Sequence, residues 1–234
     1  MNLPEPYYSD PDGIILYHGD CRKIVPELLV NSIDLLVTDP PYGIAFQSNK
    51  RNEKFGPIVG DDGSLDVEDL IRDVLQGPLR RGRHIYVFGR LDVSQIPICG
   101  VIELIWDKQL LGMGNLELPW AKSHESIIFG VSELSKANRE KGYGGVAARL
   151  RRGTVLRVQR EQGAEIKFHP TAKPVLLLRQ LIESSSIMGE TVLDPFAGSG
   201  STLIAARLEG RKAIGIEIEE KNCEVAAKRL MGRI

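Results

Sequence analysis

An aspartate that closes an apolar run and is followed at once by two prolines and a tyrosine is a set of parts suited to one kind of chemistry. Residues 35–43 read LLVTDPPYG, so Asp39 stands where a buried strand gives out. Asp39 can accept one N–H of a target amine. The carbonyl of Pro40 can accept the other, because Pro40 and Pro41 lack N–H groups, have φ fixed, and hold that backbone extended and rigid. Tyr42 adds an aromatic face on which an extruded base can stack. The arrangement suits an amine that is a poor nucleophile, such as the exocyclic amino group of adenine or cytosine, whose lone pair is delocalised into the ring and must be rehybridised before it attacks. The same letters also spell a stiff turn after a strand, since Pro and Gly are ordinary turn residues.

A second apolar run ends the same way. Residues 192–202 read VLDPFAGSGST, with Asp194-Pro195 at the strand end and Phe196-Ala197-Gly198-Ser199-Gly200 leading into a helix over Ser201–Leu208. The glycines sit where the backbone must turn tightly and approach a ligand. Without a Gly-Lys-Ser/Thr ending the loop is no phosphate-cradling Walker loop. Helix N-terminal N–H groups with the hydroxyls of Ser201 and Thr202 suit a carboxylate, such as the amino-acid end of S-adenosylmethionine. The next apolar run, 213–216, ends at Glu217, about twenty residues after the glycine loop, where Rossmann-like folds place an acid on ribose hydroxyls. Alone, Glu217 also reads as a solvated helix-start residue; with the glycine loop it points to a nucleoside cofactor.

With both loops in place, the chain resembles the amino-methylating (adenine-N6 / cytosine-N4) DNA methyltransferases, in the group whose DPPY catalytic motif precedes the FxGxG cofactor motif. The likeness spans most of the chain. DPPYG resembles the catalytic motif, HPTAKP at 169–174 the motif before a cofactor-side helix, DPFAGSGST the glycine loop, GIEIEE at 215–220 the ribose-binding acid, and YHGD at 17–20 the segment whose acid reaches the cofactor's adenine. Ala172 stands where the family often has Gln. The resemblance implies Asp39, Pro40, Pro41 and Tyr42 as the catalytic set. It implies Asp20, Cys21, Asp39, Thr171, Lys173, Asp194, Phe196, Ala197, Gly198, Gly200, Ser201, Thr202 and Glu217 as the S-adenosylmethionine site. It also implies a doubly wound, mostly parallel, seven-stranded α/β sheet of Rossmann-like type. The expected reaction is methyl transfer from S-adenosylmethionine to an extruded base of double-stranded DNA, in the manner of a restriction-modification methyltransferase. Asp rather than Ser before Pro-Pro leans toward adenine-N6. Cytosine-N4 or RNA amino-methylation, and an inactive DNA-binding subunit of the same fold, are the alternatives.

Strand-like and helical runs alternate, as a parallel sheet with crossover helices requires. Ile14–His18 reads as a strand followed by a short helix, and 35–38 as the catalytic strand. From Asp66, a plausible N-cap, Leu70, Ile71, Val74, Leu75 and Leu79 recur at helical spacing before a strand over 85–88. Residues 101–106 and 126–129 read as further strands. Residues 44–63 read as a mobile loop able to close over a base, or equally as a surface excursion. Between the strands, Lys108, Met113, Asn115 and Trp120 fall where the resemblance puts the target-base pocket, though Trp120 reads better as an ordinary packed indole.

The chain has 234 residues, 42% hydrophobic, and a net charge of −1, enough for one substantial core and no global basic field. One catalytic domain, 1–234, is expected. Cys21, Cys99 and Cys223 form no CxxC or Cys/His cluster, which argues against structural zinc and, with no signal-peptide or membrane-length apolar run, for a soluble cytoplasmic protein. Charge concentrates in a candidate basic insertion, 132–168. Residues 135–173 hold ten Lys and Arg against three Glu, a local +7. Arg149, Arg151, Arg152 and Arg157 are the candidate DNA contacts, the other reading being a solvated charged hairpin. Double-stranded DNA is the expected partner, a homodimer is left open, and neither metal nor membrane is expected.

Overall fold

The computed structural model of the chain describes residues 2–41, 66–109, 119–132, 150, 152–160 and 172–232. Tyr42, Arg149, Arg151, Thr171, His169 and the 44–63 loop lie outside the described residues.

A single sheet runs in the order β1-β2-β9-β8-β3-β4-β6-β5-β7. Its strands are β1 (Tyr8–Ser9), β2 (Ile14–His18), β3 (Ile33–Thr38), β4 (Leu79–Phe88), β5 (Ile98–Asp107), β6 (His124–Ser132), β7 (Val155–Arg157), β8 (Thr191–Asp194) and β9 (Lys212–Glu217). The five adjacent strands β2, β9, β8, β3 and β4 are parallel, β6 runs antiparallel to β4, and β5 antiparallel to β6. Among the described residues the sheet therefore has nine strands where seven were expected. One addition is the two-residue β1, folded back on β2 through a turn at Gly13. The other is β7, which pairs in parallel with the end of β5. Because β7 falls within 132–168, part of the basic segment is a sheet edge rather than an appendage.

Helices cover both faces. α1 (Cys21–Ile24) and α2 (Val67–Gln76) pack on one; α3 (Val175–Ser185), α4 (Ser201–Leu208) and α5 (Glu220–Leu230) pack on the other. β3 lies in the middle with all six residues buried, hence its unbroken apolar character apart from Asp34 and Thr38. Asp34 is held at the amino edge by Arg80 (2.8 Å), Arg83 (3.0 Å) and the Thr191 N–H (3.0 Å). α2 begins as its sequence predicts, with Asp66 accepting from the Asp69 N–H at 2.8 Å. Leu79 belongs to the following strand, not to the helical stripe.

The C-terminal strands β8 and β9 are inserted between β2 and β3. This crossover brings the strand ends at 39, 194 and 217 to one carboxyl edge, where a doubly wound sheet opens a ligand crevice.

Candidate active site

The site is assembled where β3 and β8 lie side by side, paired through Leu35 with Val192 and Leu36 with Leu193. Just past that pairing the Thr38 hydroxyl donates to Asp194 Oδ1 at 3.2 Å, and the Phe196 N–H donates to the same oxygen at 3.1 Å. The loop after each strand is thus tied to the other by one buried carboxylate.

Asp194 is 4% exposed. Burial pushes its carboxyl up to about 6, with the nearby Asp39 adding to the rise, against hydrogen bonds from Thr202, Phe196 and Thr38 that favour the ionised form. Folding therefore takes up a proton here. Above pH 6 the buried charge costs stability, and the cost is relieved as pH falls from about 6 toward 4. Over that span of roughly two pKa units the effect is about 3 kcal/mol. Asp194→Asn keeps the acceptor oxygen without the charge. Its stability relative to the parent, from denaturant melts, should rise with pH between about 4 and 6 and level off above that; a difference independent of pH would contradict this assignment.

The glycine loop is held from two sides. Glu217, at the end of β9, accepts the Gly198 N–H on Oε2 at 2.8 Å, and the Glu219 N–H (2.8 Å) and Asn222 amide (3.3 Å) on Oε1. Burial still leaves its pKa raised. From α5, Arg229 donates to the Ser199 carbonyl (2.7 Å), the Ser199 hydroxyl (3.0 Å) and the Ser201 hydroxyl (3.1 Å). Gly200 has φ +80°, and a Cβ there would meet the Ala226 Cβ at 2.9 Å, so this glycine serves the approach of α5 as well as the turn. Ser201 and Thr202 are buried, engaged with Arg229 and Asp194 respectively. They act in this structure as loop supports.

Phe196, Ala197 and Gly198 follow β8 at the carboxyl edge, the alanine buried and the other two half-buried. At its far side, Asp20 caps α1 through the Arg22 N–H (2.9 Å) and pairs with the Arg22 guanidinium (2.7 Å), which together hold its pKa low. The Gly19 N–H joins the Glu217 carbonyl at 2.9 Å, so Asp20 and Glu217 flank neighbouring strand ends. Cys21 is buried under α1, its thiol pushed up to about 12 by burial.

Lys173 lies with Asp39, the acid of the first loop. Its ammonium pairs with Asp39 Oδ2 and with Glu125 Oε2 (3.4 Å), above the Phe88 ring at 5.0 Å from its centroid. Glu125 in turn pairs with Lys108 at 2.5 Å. Nothing in the sequence singled out Glu125, Thr38 or Arg229. Only their positions at the strand ends and in α5 could have flagged them. Trp120 is 86% exposed at the same carboxyl edge, not packed; the buried indole is Trp106, 2% exposed, whose Nε1–H donates to the Val158 carbonyl at 2.8 Å. Tethering of 158 explains which tryptophan the core consumed.

The two described candidate DNA contacts part company. Arg157 ends β7 opposite Asp107, on the carboxyl edge, with Nε 3.7 Å from that carboxylate. Arg152 precedes β7 and lies toward the amino edge, engaged by Glu183 (2.5 Å) and the Ser184 hydroxyl (3.1 Å) at the end of α3. It borders a cavity of ≈ 320 Å³ lined in part by Phe129, Leu150 and Leu181. The polar floor of that cavity, His84 and Tyr86 both on the Ser185 hydroxyl (2.8 and 2.6 Å), is satisfied internally and reads as core.

The sequence profile of the DNA methylase family, covering N6 and N4 amino-methyltransferases, matches residues 101–228. The chain belongs to that family. Among similar proteins, the Type II methyltransferase M2.MboI of Moraxella bovis is 29% identical, over 96% of this chain and 90% of its own. The fold of this DNA methylase family member is shared with solved structures. The M1.HpyAVI–SAM complex superposes with a TM-score of 0.65 at 19% identity, covering 92% of this chain and 98% of the other. PvuII DNA methyltransferase, described as cytosine-N4-specific, gives 0.67 at 15% identity, covering 96% and 88%. No helix among the described residues is long and apolar enough to cross a membrane.

Proposed function

We propose that this DNA methylase transfers a methyl group from S-adenosylmethionine to the exocyclic amino nitrogen of adenine in double-stranded DNA, after the base leaves the helix. The observation that carries the reading is the apposition of the two loops, Asp39 on one strand end and the glycine loop on the next, linked through Thr38 and Asp194.

The residues present fit the cofactor. Glu217 uses one acceptor position on Oε2 for the Gly198 N–H and keeps another for a ribose hydroxyl. The half-buried Phe196 and Gly198 offer it a wall. When bound, S-adenosylmethionine supplies an electrophilic methyl on a sulfonium. The chain's own task is to orient the amine. Asp39 and the Pro40 carbonyl each accept one N–H, which fixes the nitrogen lone pair, and Tyr42 stacks on the ring. Asp39 receives or passes on the proton that the amine loses. No covalent enzyme intermediate is required. Alignment and exclusion of water are worth up to ~7–11 kcal/mol in well-oriented systems.

Asp before Pro-Pro supports adenine over cytosine. The Type II designation of M2.MboI supports a restriction-modification setting. Arg157 with the exposed Trp120 supports a DNA-facing carboxyl edge, while the engagement of Arg152 by Glu183 speaks for a structural duty there. The test is nucleoside mass spectrometry of unmethylated duplex DNA incubated with the purified chain and methyl-deuterated S-adenosylmethionine. Labelled N6-methyladenine is expected. Labelled N4-methylcytosine would move the target to cytosine, and no labelled nucleoside would leave a binding subunit. In the same preparation, Arg157→Ala should flatten the slope of log affinity against log salt by about 0.9, and Arg152→Ala should not.

A further inference from the structure

The geometry points to Glu125 as a positioning residue for methyl transfer, acting through Lys173 to set the carboxylate of Asp39. The inference rests on the role proposed for Asp39 above.

Four side chains of alternating sign meet at the carboxyl edge, each from a different place in the chain: Lys108 just after β5, Glu125 in β6, Lys173 just before α3, and Asp39 just after β3. Lys108 Nζ is 2.5 Å from Glu125 Oε1, Glu125 Oε2 is 3.4 Å from Lys173 Nζ, and Lys173 Nζ pairs with Asp39 Oδ2. Both cations also lie near aromatic faces, Lys173 5.0 Å from the centroid of Phe88 and Lys108 5.3 Å from that of Trp106. The ammonium of Lys173 is a compact charge with three donors on a flexible stem. Bound to Asp39 alone, it could follow that carboxylate through several rotamers. Bound also to Glu125, with Phe88 beside it, it is fixed with respect to two strands, and the Asp39 oxygen it holds is fixed with it.

The electrostatics agree. Burial alone would push Lys173 down, yet Asp39 and Glu125 hold it above the usual lysine range. Burial alone would push Glu125 up, yet Lys173 and Lys108 hold it below the usual carboxylate range. Lys173 and Glu125 are therefore held as an ion pair in spite of their burial. Removing one carboxylate would leave a buried cation with half its compensation, which draws the remaining carboxylate, Asp39, toward it. Glu125 thus keeps Lys173 from claiming Asp39 entirely, and leaves the latter aimed at the amine.

The experiment compares Glu125→Gln, Glu125→Asp and the Glu125→Gln/Asp39→Asn pair, measuring kcat, KM for S-adenosylmethionine and for DNA, and melting temperature. Glu125→Gln should lower kcat about 10- to 100-fold, the range of a small misplacement at a reacting centre, with both KM values nearly unchanged. Glu125→Asp should restore part of that loss, and the pair should be no slower than Asp39→Asn alone. A Gln variant that is folded and as fast as the parent overturns the inference, as does a loss that persists in full on top of Asp39→Asn. If the Gln variant does not fold, Lys108→Met decides: it loosens Glu125 without unpairing Lys173, and a kcat equal to the parent's overturns the proposal. Failure of the functional reading looks different, since the parent chain itself would then transfer no methyl.

Discussion

Replacing Asp39 by alanine should lower the rate of methyl transfer by about 10²–10⁴-fold, the usual worth of a side chain that orients and deprotonates a reacting group. The loss should fall on kcat. Asp39 stands just past the end of β3, one strand away from the glycine loop, and its carboxylate pairs with the Lys173 ammonium. Alanine also removes one of the two carboxylates that compensate the buried ammonium of Lys173, so a fall in melting temperature is expected alongside. Asp39→Asn removes the same charge but keeps the shape and one acceptor oxygen, so the difference between the two variants isolates the hydrogen bond that orients the amine. Single-turnover transfer at saturating cofactor and DNA is the measurement, and near-parental rates in both variants would remove Asp39 from the mechanism.

Much of this arrangement was legible in the sequence because it is local. An apolar run, an Asp-Pro ending and a following glycine loop are contiguous, and the helix over Ser201–Leu208 and the strand over Ile14–His18 have the bounds that their patterns predict. β4 was harder. Its first half, Arg80 to His84, looks like a charged linker, yet it is strand, because Arg80 and Arg83 find Asp34 and Glu190 at the amino edge of the sheet. β1 carried a signal that went unread: Asp12-Gly13, with Gly13 at φ +83°, is the turn of a small hairpin. β7 has three residues within a basic run and is defined only by its partner β5, so no periodicity could reveal it.

The site divides along the same line. Glu217 was placed by its distance from the glycine loop, and the structure adds that its carboxylate shapes that loop by holding the Gly198 N–H. Lys173 lies in the motif that the resemblance ties to the cofactor, and its ammonium meets Asp39, 134 positions away in sequence. A pairing of that range has no local signature. Glu125, Thr38 and Arg229 escaped notice for the same reason. Each looks ordinary within its own element and acquires a role only when the strand order brings distant ends together.

The central claim is a division of labour: the β3 end acts on the amine, and the β8 and β9 ends hold the cofactor. Calorimetric titration of S-adenosylmethionine into the parent chain, Asp39→Ala and Glu217→Ala tests it most directly. Glu217→Ala removes the oxygen proposed to accept a ribose hydroxyl and also releases the Gly198 N–H that keeps the loop in shape. Losing one hydrogen bond to a charged group is worth about 1.5–3 kcal/mol, or roughly tenfold to a hundredfold in affinity. The predicted result is that loss for Glu217→Ala and parental affinity for Asp39→Ala. Unchanged affinity in Glu217→Ala, with the loss appearing in Asp39→Ala instead, would contradict it.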